Sequence, residues 1–439
     1  MSLFETKEKL LLRYAFPIAD RVMGTCAMKW YRQIVSMNSW SKQEIQDWQN
    51  DQLKKLVRHA YDHTVYYKEI MDGIGIKPDD IRCLDDIKHF PILDRETIKH
   101  RFNDLIPNNI QKYPHRKGST GGSTGEPMEY ICDENTWGFV TAMKIYSWQR
   151  IGYHYGNKYV SIGSSSLFPT NRKSLVHEIY YRLKNTIPLN GMNMDDDTCS
   201  KYMEIIRKNN IRYIYGYATA IYLLARYCRD NDIEWHFDAV FSTAEKLVPL
   251  YREVISATWG TTVMDCYGSR DGGITAYEIE PGKYHVGYAS WLEASDKVPS
   301  ELYATNLIDF AFPTIRYANR DEVMMYDTHT DSLYNGQLMR EVIGRTSDVV
   351  SFSNGHRLTT PGFTILFRNF NVEAYRMIKK GDLSLLIQIL KRDNYTQKEH
   401  ELLYSSIKKY VGEEVEVLFE FVEAFEPLKN GKRGFLYNQ

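Results

Sequence analysis

The sequence predicts an α/β protein: a large N-terminal domain of βαβ-type subdomains preceded by helices, then a small α+β C-terminal domain. Helical periodicity dominates the N-terminal region. Strand-like and helix-like segments alternate through the middle, and an amphipathic helix precedes an alternating strand near the C-terminus. At 439 residues the chain is long enough for more than one unit. We expect residues 1–105 to form a helical entry to the large domain, 106–345 its core, and 346–439 the small domain.

The elements follow in order. Ser41-Lys-Gln-Glu44 reads as a capping box, in which a serine hydroxyl and a glutamate satisfy each other's orphan N–H groups. Behind it Ile45, Trp48, Leu53, Leu56, Val57 and Ala60 recur at helical spacing, and a second helix covers Tyr67–Gly73. A helix through Trp137–Arg150 comes later. Arg212–Gly216 is strand-like, Ala218–Cys228 helical, Asp238–Ser242 a strand, Val248–Thr258 a helix and Thr261–Cys266 a strand. This β-α-β-α-β run implies parallel strands with covering helices, and ligands then belong at the carboxyl ends of the strands. Tyr215-Gly-Tyr217, Ser242-Thr-Ala-Glu245 and Tyr267-Gly-Ser-Arg-Asp271 fall at those ends. Ile274 to Tyr326 reads as mostly β. A boundary near Gly344–Asp348 opens the small domain, where Gln397–Val411 is a helix with Leu402, Leu403, Ile407 and Val411 as its apolar face. Val415, Val417, Phe419 and Phe421 alternate as a half-buried strand.

Composition excludes several classes of function. Hydrophobic content is 43%, charged content 25% and net charge -1, which leaves no bulk electrostatic case for nucleic acid or an anionic membrane. None of the six cysteines stands in a C-x-x-C pair, so no structural zinc is expected. No signal-peptide pattern or membrane-length apolar run is present, so a reducing cytoplasm is the expected location. Leu10 to Met23 is read as an ordinary packed segment interrupted by Pro17.

Ser119-Thr-Gly-Gly-Ser-Thr-Gly-Glu-Pro127 brings three glycines and four hydroxyl residues into nine positions. Glycine lets backbone N–H groups approach phosphate oxygens, and hydroxyls add donors, so such a loop can wrap a polyphosphate. Taken singly it can equally be a plain turn. The P-loop of common NTPases has a Lys-Ser/Thr pair after its last glycine; here Glu126-Pro127 follows, which disfavours an ATPase or kinase of that kind.

The register of Thr120–Pro127 resembles the phosphate-binding loop of adenylate-forming enzymes, the superfamily of acyl-CoA synthetases, luciferases and peptide-synthetase adenylation domains. The resemblance recurs downstream in order. Tyr267-Gly268-Ser269-Arg270-Asp271 resembles the family's Tyr-Gly-x-Thr/Ser-Glu, with Asp for the usual Glu and Arg270 for a hydroxyl residue. Arg316-Tyr-Ala-Asn-Arg-Asp321 resembles Arg-Tyr-x-x-Gly-Asp, with Arg320 where glycine is usual. Gly344-Arg-Thr-Ser-Asp348 and Asn354-Gly-His-Arg-Leu358 resemble the hinge and first strands of the family's mobile C-terminal domain. Asn430-Gly-Lys-Arg433 resembles its Gly-Lys near the C-terminus. In the N-terminal third, Leu53-Lys-Lys-Leu-Val-Arg-His-Ala-Tyr61, Val65-Tyr-Tyr67 and Phe90-Pro-Ile-Leu-Asp94 resemble the entry to phenylacetate–CoA ligase-like proteins, including AMP-ligases of capsule and polysaccharide clusters.

The resemblance implies a role for each matched residue. Thr120, Gly121, Gly122, Ser123, Thr124 and Gly125 would hold the β/γ-phosphates of ATP. Tyr267 would stack on adenine beside Gly268 and Ser269, Arg270 would contact phosphate or substrate, and Asp321 would grip the ribose hydroxyls. Asp271 would hold Mg²⁺, since a carboxylate suits a hard cation. Arg345 would support ribose or phosphate, Ser347 would be the hinge, Gly355 would line the CoA channel, and Lys432 would neutralise charge at the α-phosphate. An acyl pocket is expected among Trp137, Tyr146, Tyr217, Ser242 and Glu245. Ser164-Ser-Ser166 is read as a turn, and His285 and His356 as histidines without a base's role. The expected partners are ATP, a carboxylic acid, and CoA narrowly ahead of an amine acceptor such as an amino sugar; a homodimer is compatible with these. The rival class is a degenerate, non-catalytic nucleotide-binding protein.

Overall fold

The computed structural model describes residues 14–23, 26–119, 128–163, 185–191, 194, 196–327, 335–345, 349–354, 357–359, 367, 370–392, 394–423 and 436–438. The chain divides into two compact units. One comprises Met1–Gly118, Tyr130–Asn319 and Val323–Val342; the other comprises Ser119–Glu129, Arg320–Glu322 and Ile343–Gln439.

The first unit opens with helices α1 (Phe16–Met23), α2 (Ala27–Met37), α3 (Lys42–His63) and α4 (Val65–Ile74). The capping box of α3 forms: the Ser41 hydroxyl accepts from the Glu44 N–H at 3.2 Å, and the Glu44 carboxylate accepts from the Ser41 N–H at 2.7 Å. Ile45, Leu53, Leu56, Val57 and Ala60 are buried as the periodicity predicts. In α1, Phe16 and Asp20 are buried while Ile18 is 64% exposed. No helix among the described residues is long and apolar enough to cross a membrane.

A two-stranded sheet pairs β1 (His115–Ser119) with β2 (Glu129–Asp133) and flanks the Gly-rich loop, which lies outside the described residues. Gly118 is required there, because a Cβ would fall 2.4 Å from the ring of Tyr130. Helix α5 (Glu134–Gln149) follows. Then come β3 (Tyr159–Gly163), β4 (Thr186–Asn190), α6 (Asp196–Lys208), β5 (Tyr213–Tyr217), α7 (Ala218–Asp230), β6 (Ala239–Thr243), α8 (Pro249–Trp259) and β7 (Thr262–Ser269). Strands β7, β6, β5, β3 and β4 are parallel neighbours. Parallel pairing needs long crossovers, and α7 and α8 supply two of them. They pack together through the stacked rings of Tyr222 and Tyr251, 4.3 Å apart. Strand β3 is buried along its whole length, as a strand covered on both faces should be.

The sheet continues through β8 (Ile274–Glu280), β9 (Lys283–Val286), β10 (Ser290–Glu293), β11 (Ser300–Asn306), β12 (Tyr317–Met325) and β13 (Leu338–Arg345). It has 11 strands in the order β10-β11-β12-β13-β9-β8-β7-β6-β5-β3-β4. Between α5 and the parallel strands lies the aromatic core, with Trp148 stacked on Phe241 at 4.1 Å.

The second unit carries a short pair, β14 (Val349–Ser351) with β15 (Arg357–Thr359). Its main sheet has the order β18-β17-β16-β19: β16 (Val372–Gly381), β17 (Ser384–Lys391), β18 (Glu416–Phe421) and β19 (Leu436–Asn438). Helix α9 (Gln397–Val411) links the parallel pair β17 and β18. Its Leu403, Ile407 and Val411 are fully buried, but Leu402 is 53% exposed. The predicted stripe was one residue too wide, since adjacent helical positions diverge by about 100°.

Candidate active site

The carboxyl ends of β5, β6 and β7 lie side by side, with Tyr217 in register with Thr243 and Thr243 with Cys266. Their footing is a buried polar network. Asp265 accepts from the Ser242 hydroxyl and from the Tyr284 hydroxyl at 2.7 Å, and its own N–H donates to Glu278, which pairs with Arg252. Burial pushes the Asp265 carboxyl up to about 6, against the pull of those hydroxyls. Ser242 is fully buried in this network, its hydroxyl donating to Asp265.

At the end of β7, sequence segments that are far apart interlock. Asp271 accepts from the Ser269 hydroxyl on one oxygen and from the Tyr317 hydroxyl, at 2.7 Å, on the other. The Tyr267 hydroxyl accepts from the Asn319 side-chain amide at 2.9 Å. Gly273 makes the turn after Asp271: its φ is +62°, and a Cβ would fall 2.0 Å from the Asn306 amide. The start of β12 is braced in turn. Arg316 binds Glu293 at 3.1 Å and the Phe90 carbonyl at 2.8 Å, while Leu93 exchanges backbone hydrogen bonds with Arg316 and Ala318. Thus the Phe90–Asp94, Tyr267–Asp271 and Arg316–Asn319 segments meet in one place. Asp321 lies further along β12 and is 9% exposed. Arg320, standing where the resembling motif has glycine, has φ +67°, the left-handed region that favours glycine.

Helix α5 crosses these strand ends. Its N-cap is Asp133, which accepts from the Asn135 N–H at 2.7 Å. Asp309 braces that cap, accepting from the Asp133 N–H at 3.3 Å. Burial, and then the Asp133 charge, push the Asp309 carboxyl up to about 8. Trp137, Lys144 and Trp148 share one helical face. The guanidinium groups of Arg116 and Arg270 each lie 5.3 Å from the Trp137 ring. The Lys144 ammonium lies 5.3 Å from the Trp148 ring and 5.2 Å from the Tyr215 ring. Burial lowers Lys144 to about 8.

Other expected pocket residues have different partners. Tyr146 sits off the Trp137–Lys144 face and donates to Asn38 at 2.7 Å beside Tyr277. Exposed Glu245 accepts from the Thr219 N–H at 2.8 Å, satisfying the first turn of α7. Tyr217 is the N-cap residue of α7 and is half-buried. His285 is buried between Tyr277 and Tyr288, and burial lowers it to about 4, so it is neutral at physiological pH. Thr120–Gly125, Ser164–Ser166, Ser347, Gly355, His356 and Lys432 lie outside the described residues; Arg345 is placed only as the last residue of β13.

The donor set around Asp271 suits Mg²⁺. Magnesium keeps several waters and takes one or two protein carboxylates alongside substrate phosphates. Asp271 has lone pairs left after its two hydrogen bonds. No cluster of three or more His, Cys, Asp or Glu capable of caging a metal occurs among the described residues.

Sequence reasoning missed Lys144, Arg116, and the roles of Tyr317 and Asn319. The signal for Lys144 was present: a lone cation between two tryptophans at helical spacing.

No family model matches the chain. It is 23% identical to Protein CapK of Staphylococcus aureus over 401 residues, 89% of this chain and 88% of that protein. It is 32% identical to the phenylacetate-coenzyme A ligase of Aromatoleum evansii over 112 residues, 24% of each chain. Among solved structures, 2-hydroxyisobutyryl-CoA ligase in complex with an acyl-AMP matches with a TM-score of 0.68 at 13% identity, covering 92% of both chains; at that identity the likeness is one of fold. The chain thus has the fold of an acyl-CoA ligase, is similar along nearly its whole length to Protein CapK, and over about a quarter of its length is similar to phenylacetate-coenzyme A ligases.

Proposed function

We propose that this protein activates a carboxylic acid with ATP and transfers the acyl group to CoA. A carboxylate oxygen attacks the α-phosphorus of ATP, the bond to the bridging oxygen breaks, and pyrophosphate leaves. The thiol sulfur of CoA then attacks the acyl carbon, the thiol proton is lost, and AMP leaves. Activation converts an oxide leaving group, which a carboxylate cannot expel, into AMP. Catalysis of the first step is positioning and charge neutralisation and needs no general base.

The observation that carries this reading is the double interlock of Tyr267 with Asn319 and Asp271 with Tyr317. It fixes an aromatic ring and a carboxylate together at the strand ends, where a nucleotide binds in an open α/β sheet. Tyr267 takes the adenine face and Asp321 the ribose hydroxyls. Arg270, stacked on Trp137, offers its N–H groups to phosphate or to the developing adenylate. Asp271 would hold Mg²⁺, which would supply charge neutralisation between phosphates. The glycine-rich loop takes the β/γ-phosphates and Lys432 the α-phosphate. Arg345, Ser347 and Gly355 keep the ribose-supporting, hinge and CoA-channel roles implied by the resemblance.

A second reading replaces CoA with an amine acceptor. The match along nearly the whole chain is to Protein CapK, whereas the phenylacetate-coenzyme A ligases match over about a quarter of it, and this favours keeping that reading. The deciding experiment offers ATP and an acid with CoA in one arm and amino sugars in the other. Thioester supports the first reading, amide the second, and phosphate instead of pyrophosphate overturns both. Separately, Lys432→Ala should abolish adenylation yet leave thioester formation from supplied acyl-AMP largely intact; equal loss of both steps would refute its assigned role.

A further inference from the structure

The adenylation chemistry leaves Lys144 unused. We propose that it is a specificity residue that recognises a second anionic group on the acid substrate, so that the preferred acid is a dicarboxylate or another carboxylic acid with a distal anion. This rests on the adenylating reading and names the substrate class for it.

The molecule supplies its own contrast. Lys408 is buried where Lys144 is half-buried, and the Lys408 ammonium donates to the carbonyls of Glu413 at 2.6 Å and Val415 at 2.7 Å. That is how this fold satisfies a structural lysine. Lys144 donates no hydrogen bond and forms no ion pair with any described residue; it meets only the faces of Trp148 and Tyr215. Two aromatic faces offset part of the desolvation of an ammonium. They do not satisfy its three N–H donors. The remaining penalty shows in its lowered proton affinity.

The described groups around it supply no counter-charge. From β5, burial raises the Tyr215 phenol, which stays neutral. From β7, burial raises the Cys266 thiol, which stays protonated. Arg270, beyond β7, is a second cation that further disfavours the charge on Lys144. Both cations sit on one face of α5, on a line from Trp137 to Trp148. Trp137 and Lys144 are seven positions apart on the helix, a rise of about 10 Å, the scale of a short acyl chain. An acid activated near Arg270 and lying along α5 brings its far end to Lys144. An anion there meets a half-buried cation flanked by two aromatic faces, where electrostatic attraction is stronger than in open water.

The test measures acid-dependent pyrophosphate exchange with straight-chain monocarboxylic acids, dicarboxylic acids and ω-phosphorylated acids of matched length. It uses the full chain, Lys144→Met and Lys144→Arg, each checked for folding by its thermal transition; Lys144→Gln replaces the methionine variant should that fail to fold. The wild type should prefer an acid with a distal anion, and the two anionic series distinguish carboxylate from phosphate. Lys144→Met should cut the kcat/KM ratio of anionic to neutral-tailed acid by roughly 100-fold, the loss typical of truncating one member of a desolvated charge pair. Lys144→Arg should retain much of the preference. In the wild type, kcat/KM for the anionic acid should fall as pH rises through about 8, where Lys144 loses its proton. Vigorous exchange with neutral-tailed acids alone, or an unchanged ratio in Lys144→Met, would overturn the inference and leave the ligase reading standing. No exchange with any acid would overturn both.

Discussion

The two halves of the strand-end site are built in opposite ways. Around Tyr267 and Asp271, the placed polar groups are tied to one another: Tyr317 and Ser269 hold both oxygens of Asp271, and Asn319 holds the Tyr267 hydroxyl. Around Arg270 and Lys144, cations rest on aromatic faces, and Lys144 has no acid partner among the described residues. The first arrangement presets geometry for a ligand of fixed shape, as a nucleotide is. On the proposal made above, Lys144 in the second serves a ligand that brings its own anion. Preorganised hydrogen bonds lower the cost of reaching the reactive geometry, whereas a half-buried cation with no acid partner among the described residues discriminates between ligands.

The largest expected effect breaks the interlocked half. Asp271→Ala should lower pyrophosphate exchange by roughly 100- to 1,000-fold, the usual loss when a group facing developing charge is removed, with an unchanged thermal transition. A loss of the fold instead would make Asp271 structural. Next is the floor of the Lys144 half. Trp148 is 2% exposed and stacked on Phe241. Trp148→Ala should cost about 3–5 kcal/mol in urea unfolding, while Trp148→Phe should recover most of it.

The third prediction concerns the brace at the start of α5. Asp309 has a folded-state value raised to about 8 from an ordinary 3.8. Because the folded state holds that proton more tightly, its contribution is present at low pH and is lost as pH rises from about 4 through about 8. Asp309→Asn should flatten that fall and leave the variant about 1–3 kcal/mol more stable than wild type at pH 8; parallel stability–pH curves would contradict the assignment. Smaller still is Tyr317→Phe, which removes one hydrogen bond from Asp271. It should slow exchange by roughly 5- to 30-fold, equivalent to about 1–2 kcal/mol. The smallest is Arg320→Gly, which relieves a left-handed φ and should raise the urea midpoint by the equivalent of under about 1 kcal/mol.

The same contrast explains what was legible in the sequence. The α/β class and the β-α-β-α-β run could be read because each element carries its own period and the linking helices are short. Tyr267–Asp271 could be singled out because its residues are contiguous. Their partners were not readable. Tyr317 and Asn319 reach them only because β12 and β7 are carried together by a sheet whose strand order departs from sequence order. The partners of the expected pocket residues were not readable either: Tyr146 and Lys144 are two residues apart on α5 yet face different neighbours, Asn38 for one and Tyr215 for the other. Ser242 and Glu245 likewise reach a buried carboxylate and a helix N-terminus. Period decides elements; only the assembled sheet decides which side chains meet.

The most direct measurement is exchange of labelled pyrophosphate into ATP by the full chain, screened over carboxylic acids with and without a distal anion. The account predicts exchange that requires both Mg²⁺ and an acid, and that Asp271→Ala suppresses. ATP binding with no exchange for any acid, or acid-independent release of inorganic phosphate, would contradict it.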